Sequence, residues 1–382
     1  MSGVATMKCW ALRIATITAA AAWATAAEAG DDEAPARVRR AISYLDARQD
    51  AWSRFPSAKR GDGADRTSCV SCHTGVTYAL ARSSLGRFVV EPGPAPPQER
   101  MLKEVGLRVE HWAELGSPRF PLMYDHDDPK KAESRGTEAV LNALILARDD
   151  AARGRTQPSA ASRQAFRHLW EAQTPDGRNA GSWDWLNFGN EPWEADGSRV
   201  FGAALGANAV GSSPGYLDSR LNEGDARHAA LLRDYLRRRF PEESTYNRLW
   251  ILEAATTLDG LLSADQRTEV VDQLLAGQRE DGGWALAALG GFQRLDKSTQ
   301  ARDSDGYATG LVLHVLLRAG LPATHPALTK GLDWLRSHQR PDGYWLGRSV
   351  NKERDPTTFV GKLMSDAATA FSAFALVEAE SR

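Results

Sequence analysis

Cysteine is scarce in this chain of 382 residues, which contains only three cysteines. So few cysteines exclude a small fold that depends on a disulfide scaffold. Neither positive nor negative charge is in excess, because the chain has 47 Lys and Arg residues and 49 Asp and Glu residues. The chain therefore lacks the general basic field with which proteins attract nucleic acid, and we expect no nucleic-acid partner.

Long apolar runs are also missing after the N-terminal segment, so we expect no transmembrane segment in the mature chain. In the N-terminal segment, Lys8 and Arg13 precede an apolar run over residues 14–27, and Ala27 and Ala29 supply small residues at its end. A basic start, a short apolar run and a small-residue exit are typical of a secretory signal peptide. We predict a signal peptide over residues 1–29 with cleavage near Ala29, a single mature domain over 30–382, and a periplasmic or secreted location.

What the sequence does contain is a repeat. Residues 278–284, 339–345 and, more loosely, 173–183 each combine a glutamine, an Asp-Gly pair and a tryptophan. Each segment follows an amphipathic helical pattern and precedes a more apolar one. Because Asp-Gly favours a tight turn, each segment is predicted to join two helices.

Six such helix pairs are predicted along the chain. The polar-faced helices are predicted at 36–48, 97–115, 159–172, 224–240, 263–276 and 325–338. The apolar helices are predicted at 69–85, 134–148, 195–210, 244–258, 304–319 and 365–378. A helix that is apolar all round is buried on all sides. The alternation therefore predicts an all-α (α/α)6 toroid, with six inner and six outer helices in one domain.

The Gln-x-x-Asp-Gly-x-Trp segments resemble the QW motifs of squalene–hopene cyclases, whose toroid is shared with protein prenyltransferases. The resemblance implies that Gln278, Trp284, Gln339 and Trp345 are structural: each glutamine would bind backbone at a helix end, and each indole would stack against it. It also implies an isoprenoid or another apolar small molecule as a ligand.

The cyclase acid motif is matched only in part. Its nearest counterpart is Asp303 and Asp305 at the start of the fifth inner helix, where Gly306 replaces one of the paired aspartates. The resemblance makes Asp305 a candidate catalytic acid. The alternative interpretation is that Ser304 caps this helix and that Asp305 lies in its first turn, near the positive end of the helix dipole.

The strongest chemical motif lies at residues 69–73, where Cys69, Cys72 and His73 form Cys-x-x-Cys-His. In an exported protein this spacing is typical of c-type haem attachment, with two thiols on the porphyrin and the histidine on the iron. The segment resembles the haem-attachment site of cytochromes c and predicts covalent haem c. Two alternatives remain open: a zinc ion held by these three residues and a fourth ligand, and a disulfide between the two cysteines.

The predicted toroid also suggests which residues could be the sixth iron ligand. In such a ring, the N-termini of the inner helices meet at one mouth, so the haem would lie near the starts of the second and sixth inner helices. Met364, Met123 and His126 are the candidates there. A filled sixth position favours electron transfer, while an open one permits oxygen chemistry.

The leading functional hypothesis is therefore an exported haem-c protein. It would work in electron transfer with a redox partner protein, or in haem-dependent oxidation of an apolar ligand. The alternatives are an isoprenoid cyclase-like or prenyltransferase-like enzyme, and a non-catalytic binding protein with a structural zinc ion.

A second concentration of aromatic and acidic residues precedes the third inner helix. It includes Trp183, Trp185, Glu191, Trp193 and Glu194. Aromatic residues favour apolar pockets, but they also pack loops against helices. The sequence leaves both interpretations open.

Overall fold

The computed structural model describes residues 33–217 and 223–381. The predicted signal peptide, residues 1–29, lies outside the described residues. Across the described residues the chain is helical, with one two-stranded sheet that pairs β1 (Lys59–Arg60) with β2 (Thr67–Ser68).

The helices form two concentric layers. The outer layer consists of α1 (33–54), α3 (Pro96–Glu110), α5 (Ala160–Glu171), α7 (Glu223–Arg239), α9 (Ala264–Ala276) and α12 (Pro326–His338). The inner layer consists of α2 (Thr77–Phe88), α4 (Asp128–Ala152), α6 (Ser198–Ser212), α8 (Thr245–Ala255), α11 (Gly306–Arg318) and α13 (Leu363–Glu380), and a short α10 (Leu286–Leu289) lies in a loop. Each inner helix contacts the next, and α13 contacts α2, which closes the ring. The prediction of an (α/α)6 toroid is confirmed.

Burial separates the two layers as the sequence pattern requires. Every residue of α11 except Arg318 is buried, because this helix is covered on all sides. The outer helix α9 buries only Val270 and Leu274 completely, and the rest of its surface reaches solvent or is half-buried. The core of the molecule is therefore the shared wall between inner and outer helices.

The glutamine and tryptophan of the repeated turns fasten neighbouring hairpins together. Gln278 donates its amide protons to the carbonyls of Gly282 (2.8 Å) and Ala327 (2.7 Å), the second of which lies in the next outer helix, α12. The indole N–H of Trp284 donates to the carbonyl of Leu274 at the end of α9 (2.7 Å). Each turn is thereby tied both to the helix before it and to the outer helix after it.

The last repeated turn closes the ring. Gln339 donates to the carbonyls of Gly343 (2.9 Å) and of Arg37 in α1 (3.0 Å). Gly343 has φ of 88°, and a Cβ atom there would lie 2.3 Å from the carbonyl oxygen of Arg40. Only glycine fits a left-handed position packed so closely against another backbone.

The first inner helix begins later than predicted. Helix α2 starts at Thr77, whereas the sequence pattern predicted a start near Cys69. Residues Cys72–Val76 form a π-helical turn instead, and the Ser71 hydroxyl caps it by accepting from the backbone N–H groups of Thr74 and Gly75. The Cys-x-x-Cys-His segment therefore lies in front of the helix, at the mouth of the ring.

No helix in the described part of the chain combines the length and the apolar character needed to cross a bilayer.

Candidate functional site

A cavity of about 230 Å³ opens at the mouth that is ringed by the N-terminal ends of the inner helices. Its walls come from five parts of the chain: α1, the segment before α2, the loop before α4, the loop before α6, and the segment that leads into α13. The residues that line it include Trp52, Cys69, Cys72, His73, Tyr124, Glu191, Trp193, Glu194, Asn351 and Met364. The cavity therefore exists only when the ring is closed.

His73 is held in one tautomer by a short relay. Its Nδ1 lies 2.8 Å from the Thr74 hydroxyl oxygen, and that hydroxyl donates its single proton to Asp366 at 2.7 Å. Nδ1 must therefore carry the proton and donate it to Thr74, which leaves Nε2 with its lone pair. Burial, helped by the charge of Arg48, lowers the pKa of His73 to about 3, so the ring is neutral.

Asp366 anchors this relay to the outer layer. Arg48 of α1 donates to both of its oxygens, at 2.6 and 2.9 Å, and the Tyr44 hydroxyl donates at 3.0 Å. Together with Thr74, these donors fully engage a buried carboxylate. The relay therefore fixes the orientation of His73 relative to both α1 and α13.

Two tryptophan rings lie close to His73. The ring of Trp52 lies 4.9 Å from the imidazole ring at a near-perpendicular angle, and its indole N–H donates to the Cys69 carbonyl at 2.7 Å. The ring of Trp193 lies 6.3 Å from the imidazole, and its N–H donates to the Tyr307 hydroxyl at 3.2 Å. Because both indoles are anchored, they offer rigid faces to a ligand.

Two carboxyl groups complete the cavity. Burial raises the pKa of Glu194 to about 7, against the opposing effects of a hydrogen bond from Asn190 and the charge of Lys130. Burial also raises the pKa of Glu191, and the charge of Asp196 adds to the effect. The site therefore holds a carboxyl group that exchanges its proton near neutral pH.

An unused hydrogen-bond acceptor lies next to these carboxyl groups. Asn351 donates its amide proton to the side-chain oxygen of Asn190 at 2.7 Å. The side-chain oxygen of Asn351 is buried and receives no hydrogen bond from any described residue. Buried polar atoms are rarely left without a partner. This oxygen is therefore available to accept a hydrogen bond from a ligand.

Cys69 and Cys72 are both buried, and both thiols are free. Burial raises the pKa of Cys69 to about 12 and raises that of Cys72 well above its ordinary value. They are therefore protonated thiols at neutral pH. No group of three or more His, Cys, Asp or Glu residues in the described part of the chain is arranged to hold a metal ion, so a fourth zinc ligand is not found beside them.

The three candidates for a sixth iron ligand have different surroundings. Met364 is buried and borders the same cavity as His73. Met123 is buried in a small cluster with Cys69 and Leu186 and is absent from the cavity wall, while His126 is exposed in the loop before α4. The structure therefore brings Met364, but not Met123 or His126, into the cavity of His73.

Covalent attachment of haem is tested by none of these contacts and stays a prediction. The two thiols and the imidazole border one cavity, yet its volume lies below the roughly 300–1,000 Å³ of pockets for drug-sized ligands, so a porphyrin would require it to open. Intact-mass measurement on protein exported by a host that attaches haem should show one fixed mass increase. A Cys69→Ser, Cys72→Ser double variant should lack it, and an unmodified wild-type mass would contradict the prediction.

Asp305, the predicted acid, is the N-cap of α11 and is absent from the cavity wall. One of its oxygens accepts from the backbone N–H groups of Tyr307 and Ala308, both at 3.0 Å, and the other accepts from Leu286 at 2.7 Å. Burial raises its pKa to about 6 despite these donors. Ser304, which was predicted to be the cap, instead donates to Asp281 at 2.7 Å, so the prediction of the cap residue was wrong.

The aromatic loop before α6 serves both purposes that the sequence left open. The indole N–H of Trp183 donates to the Leu169 carbonyl at 2.7 Å, and that of Trp185 donates to the Trp193 carbonyl at 2.8 Å, so these two side chains pack the loop. Trp193, Glu191 and Glu194 line the cavity.

Sequence reasoning missed Trp52, Tyr124 and Asn351, because nothing in their local patterns distinguishes them from packing or loop residues.

Comparison with sequence models of known families finds no match, and no curated protein matches in sequence. Several solved structures are similar in fold. A glycosidase variant is 14% identical, with 91% of this chain and 98% of that chain covered and a TM-score of 0.52. The unsaturated glucuronyl hydrolase of Streptococcus agalactiae is 11% identical, with coverages of 90% and 91% and a TM-score of 0.51. An inactive α-1,6-mannanase variant of Salegentibacter, in complex with α-1,6-mannotetrose, is 11% identical, with coverages of 88% and 98% and a TM-score of 0.51.

These findings correct the family resemblance. The structures of similar fold are glycosidases, so the resemblance to squalene–hopene cyclases and prenyltransferases was wrong. The physical reason lies in the turns described above. In this chain the glutamine and tryptophan fasten each turn to the helices around it, which is a structural task that a ring of helical hairpins presents whatever reaction it carries out. The motif therefore reports architecture rather than family.

The predicted function is corrected for the same reason. Electron transfer or haem-dependent oxidation with a redox partner was predicted, with a cyclase or a zinc-containing binding protein as alternatives. The glycosidases of similar fold point away from all of these, and the described residues contain no group suited to hold a metal ion.

Proposed function

We propose that the protein is a glycosidase-like hydrolase that cleaves a glycosidic bond in the cavity at the N-terminal mouth of the ring. The observation that carries the proposal is Glu194, a half-buried carboxyl group with its pKa raised to about 7, in a cavity whose wall also contains Glu191, Trp52 and Trp193. The mannanase and glucuronyl hydrolase of similar fold support glycosides as the substrate class.

Glycoside hydrolysis requires two carboxyl groups with different protonation states. Glu194 would donate its proton to the leaving glycosidic oxygen, since its pKa keeps a large protonated fraction at neutral pH. Glu191 would be the ionised partner. A water molecule would add to the anomeric carbon and lose its proton to Glu191 as the glycosidic bond breaks. The products are a sugar with a free anomeric hydroxyl group and the alcohol that was bound to it.

The other cavity residues suit a small sugar. Trp52 and Trp193 offer flat apolar faces, on which the C–H face of a sugar ring can stack. His73 Nε2 and the free oxygen of Asn351 are both acceptors, and sugar hydroxyl groups are donors. Because the cavity measures about 230 Å³, we expect it to hold one sugar unit while the remainder of the substrate lies outside.

Glu194→Gln is the test of this proposal. The substitution keeps the shape and the contact with Asn190 but removes the exchangeable proton, so kcat/KM should fall by about 10²- to 10⁴-fold. The measurement is product release from a panel of aryl glycosides, α-1,6-linked mannosides and unsaturated glucuronides. Glu280→Gln is the matched control, because Glu280 is exposed and distant from the cavity.

The pH profile gives a second readout of the same residue. Glu194 is active when protonated, so kcat/KM of the wild type should fall as pH rises through about 7. That limb should be absent from the residual activity of Glu194→Gln. A wild type that hydrolyses no glycoside of the panel, or a Glu194→Gln variant with full activity, would overturn the proposal.

A further inference from the structure

A second, larger cavity lies at the opposite mouth of the ring. It measures about 600 Å³ and is lined by one side of α2 and by the C-terminal ends of α4, α11 and α13. It shares no wall residue with the cavity of Glu194. The second cavity is therefore separate from the site of the proposed hydrolysis.

Three arginines line this second cavity, and one of them is without a partner. Arg148 makes no ion pair or hydrogen bond with any described residue, although its side chain is half-buried in the wall. Burial and the charge of Arg318 lower its pKa, against the opposing charges of Glu253 and Glu378. A half-buried guanidinium group that makes no hydrogen bond or ion pair keeps all of its N–H donors for a ligand anion.

The two neighbouring arginines are only weakly engaged. Arg87 donates to the Ser84 hydroxyl at 3.0 Å. Arg318 donates to the Thr256 hydroxyl at 3.1 Å and lies 3.6 Å from Glu253. Both guanidinium groups therefore retain N–H donors for a ligand.

The acidic groups of this region are shared between the arginines and His314. Glu378 lines the cavity, but its carboxylate lies 2.6 Å from Nδ1 of His314, and Glu253 lies 3.5 Å from Nε2 of the same ring. His314 is protonated, because the two carboxylates outweigh the effect of its burial and raise its pKa to about 9. Among these side chains, four cations therefore stand against two carboxylates, so positive side-chain charge is in excess.

We propose that this cavity binds an organic anion whose phosphate or carboxylate group contacts Arg148 between Arg87 and Arg318. Guanidinium groups bind such oxyanions through paired, charge-assisted hydrogen bonds. The remaining wall contains Leu80, Phe374 and Val377, which suit an apolar portion of the ligand. The volume lies within the roughly 300–1,000 Å³ of small-molecule sites. This function goes beyond the proposed hydrolysis and does not depend on it.

Calorimetric titration of the full chain with three probes tests the proposal: inorganic phosphate, hexyl phosphate and hexanoate. Saturable binding is expected, and it should be tighter for hexyl phosphate than for inorganic phosphate because of the apolar wall. Comparison of hexyl phosphate with hexanoate identifies the preferred anionic group. Arg148→Gln should weaken binding by about ten- to a hundred-fold, since it removes a charged hydrogen-bonding partner. Arg178→Gln, at an exposed turn outside the cavity, is the matched control.

Thermal melting without ligand separates a binding role from a structural one. If Arg148 serves to bind an anion, the Arg148→Gln variant should melt close to the wild-type temperature, because no hydrogen bond or ion pair is lost and only the longer-range attraction to Glu253 and Glu378 is removed. A lower melting temperature together with unchanged binding would assign Arg148 a structural role and overturn the proposal. Absence of saturable binding for all three probes, or hexyl phosphate binding no tighter than inorganic phosphate, would overturn it too.

Discussion

Alanine in place of Trp345 should lower the free energy of unfolding by about 3–5 kcal/mol, as truncation of a buried tryptophan does. The side chain is completely buried, and its indole N–H donates to the Leu335 carbonyl at 2.8 Å. Its backbone N–H donates to the Thr369 hydroxyl of α13 at 3.2 Å, so the residue joins the outer helix α12 to the inner helix. Urea denaturation followed by circular dichroism measures the change.

Leu295→Ala is the control for this prediction. Leu295 is a large apolar residue in a loop, and it is 50% exposed. Its truncation should therefore change the unfolding free energy by about 0.5 kcal/mol or less. The turn of Trp345 also carries Gln339, which reaches α1 and closes the ring. A Trp345→Ala variant within about 1 kcal/mol of the wild type would show that this closure does not depend on the indole.

The ring itself was predictable from the sequence because its two layers leave different hydrophobic patterns. An inner helix such as α11 is covered on all sides, and its sequence is apolar at nearly every position. An outer helix such as α9 is covered on one side and is amphipathic. These patterns are local, so helix order and layer follow without knowledge of the tertiary contacts.

The candidate site was predictable only in part, because its properties arise from contacts between distant segments. Glu194 was visible as one carboxyl group in an aromatic loop, yet its raised pKa depends on burial by the closed ring. His73 was visible through its motif. Its orientation, however, depends on the hydrogen bond between Thr74 and Asp366, which are 292 positions apart in the sequence. Nothing near Asn351 in the sequence indicates that its oxygen lacks a donor.

Asp305 shows how one local pattern can predict two different roles. The pattern of two aspartates at a helix start is shared by catalytic acids and by helix caps. In the structure, three backbone N–H groups occupy its oxygens at the start of α11. One of these N–H groups belongs to Leu286, in a loop before the helix. The local sequence around Asp305 does not specify where that loop passes, so it cannot distinguish a helix cap from a catalytic acid.

A buried charge cluster near the opposite mouth supplies the second large effect. His314 on α11 lies between Glu378 of α13 and Glu253 of α8. Burial alone would raise the pKa of Glu253, but the charge of His314, with help from Arg318 and Arg148, lowers it to about 2. The imidazolium therefore joins three inner helices through two carboxylates.

His314→Phe should lower the free energy of unfolding by about 3–5 kcal/mol near pH 6, because it leaves two buried carboxylates without their shared cation. The phenyl ring keeps the stacking on Phe374, whose ring centroid lies 4.5 Å away, so the loss is chiefly electrostatic. The folded-state pKa of His314 is about 9, above its ordinary value of 6.5. Its contribution is therefore complete below pH 6.5 and is lost as pH rises through 9.

Chemical denaturation of both proteins between pH 6 and pH 10 checks this dependence. The difference between the wild type and His314→Phe should shrink steadily over that interval, because the wild-type imidazolium loses its proton in the folded state. His126→Phe is the matched control, since His126 is exposed in the loop before α4, and it should change the unfolding free energy by about 0.5 kcal/mol or less at every pH. A difference for His314→Phe that stays constant from pH 6 to pH 10 would mean that His314 is neutral in the folded protein. The three inner helices would then be held at this level by packing alone.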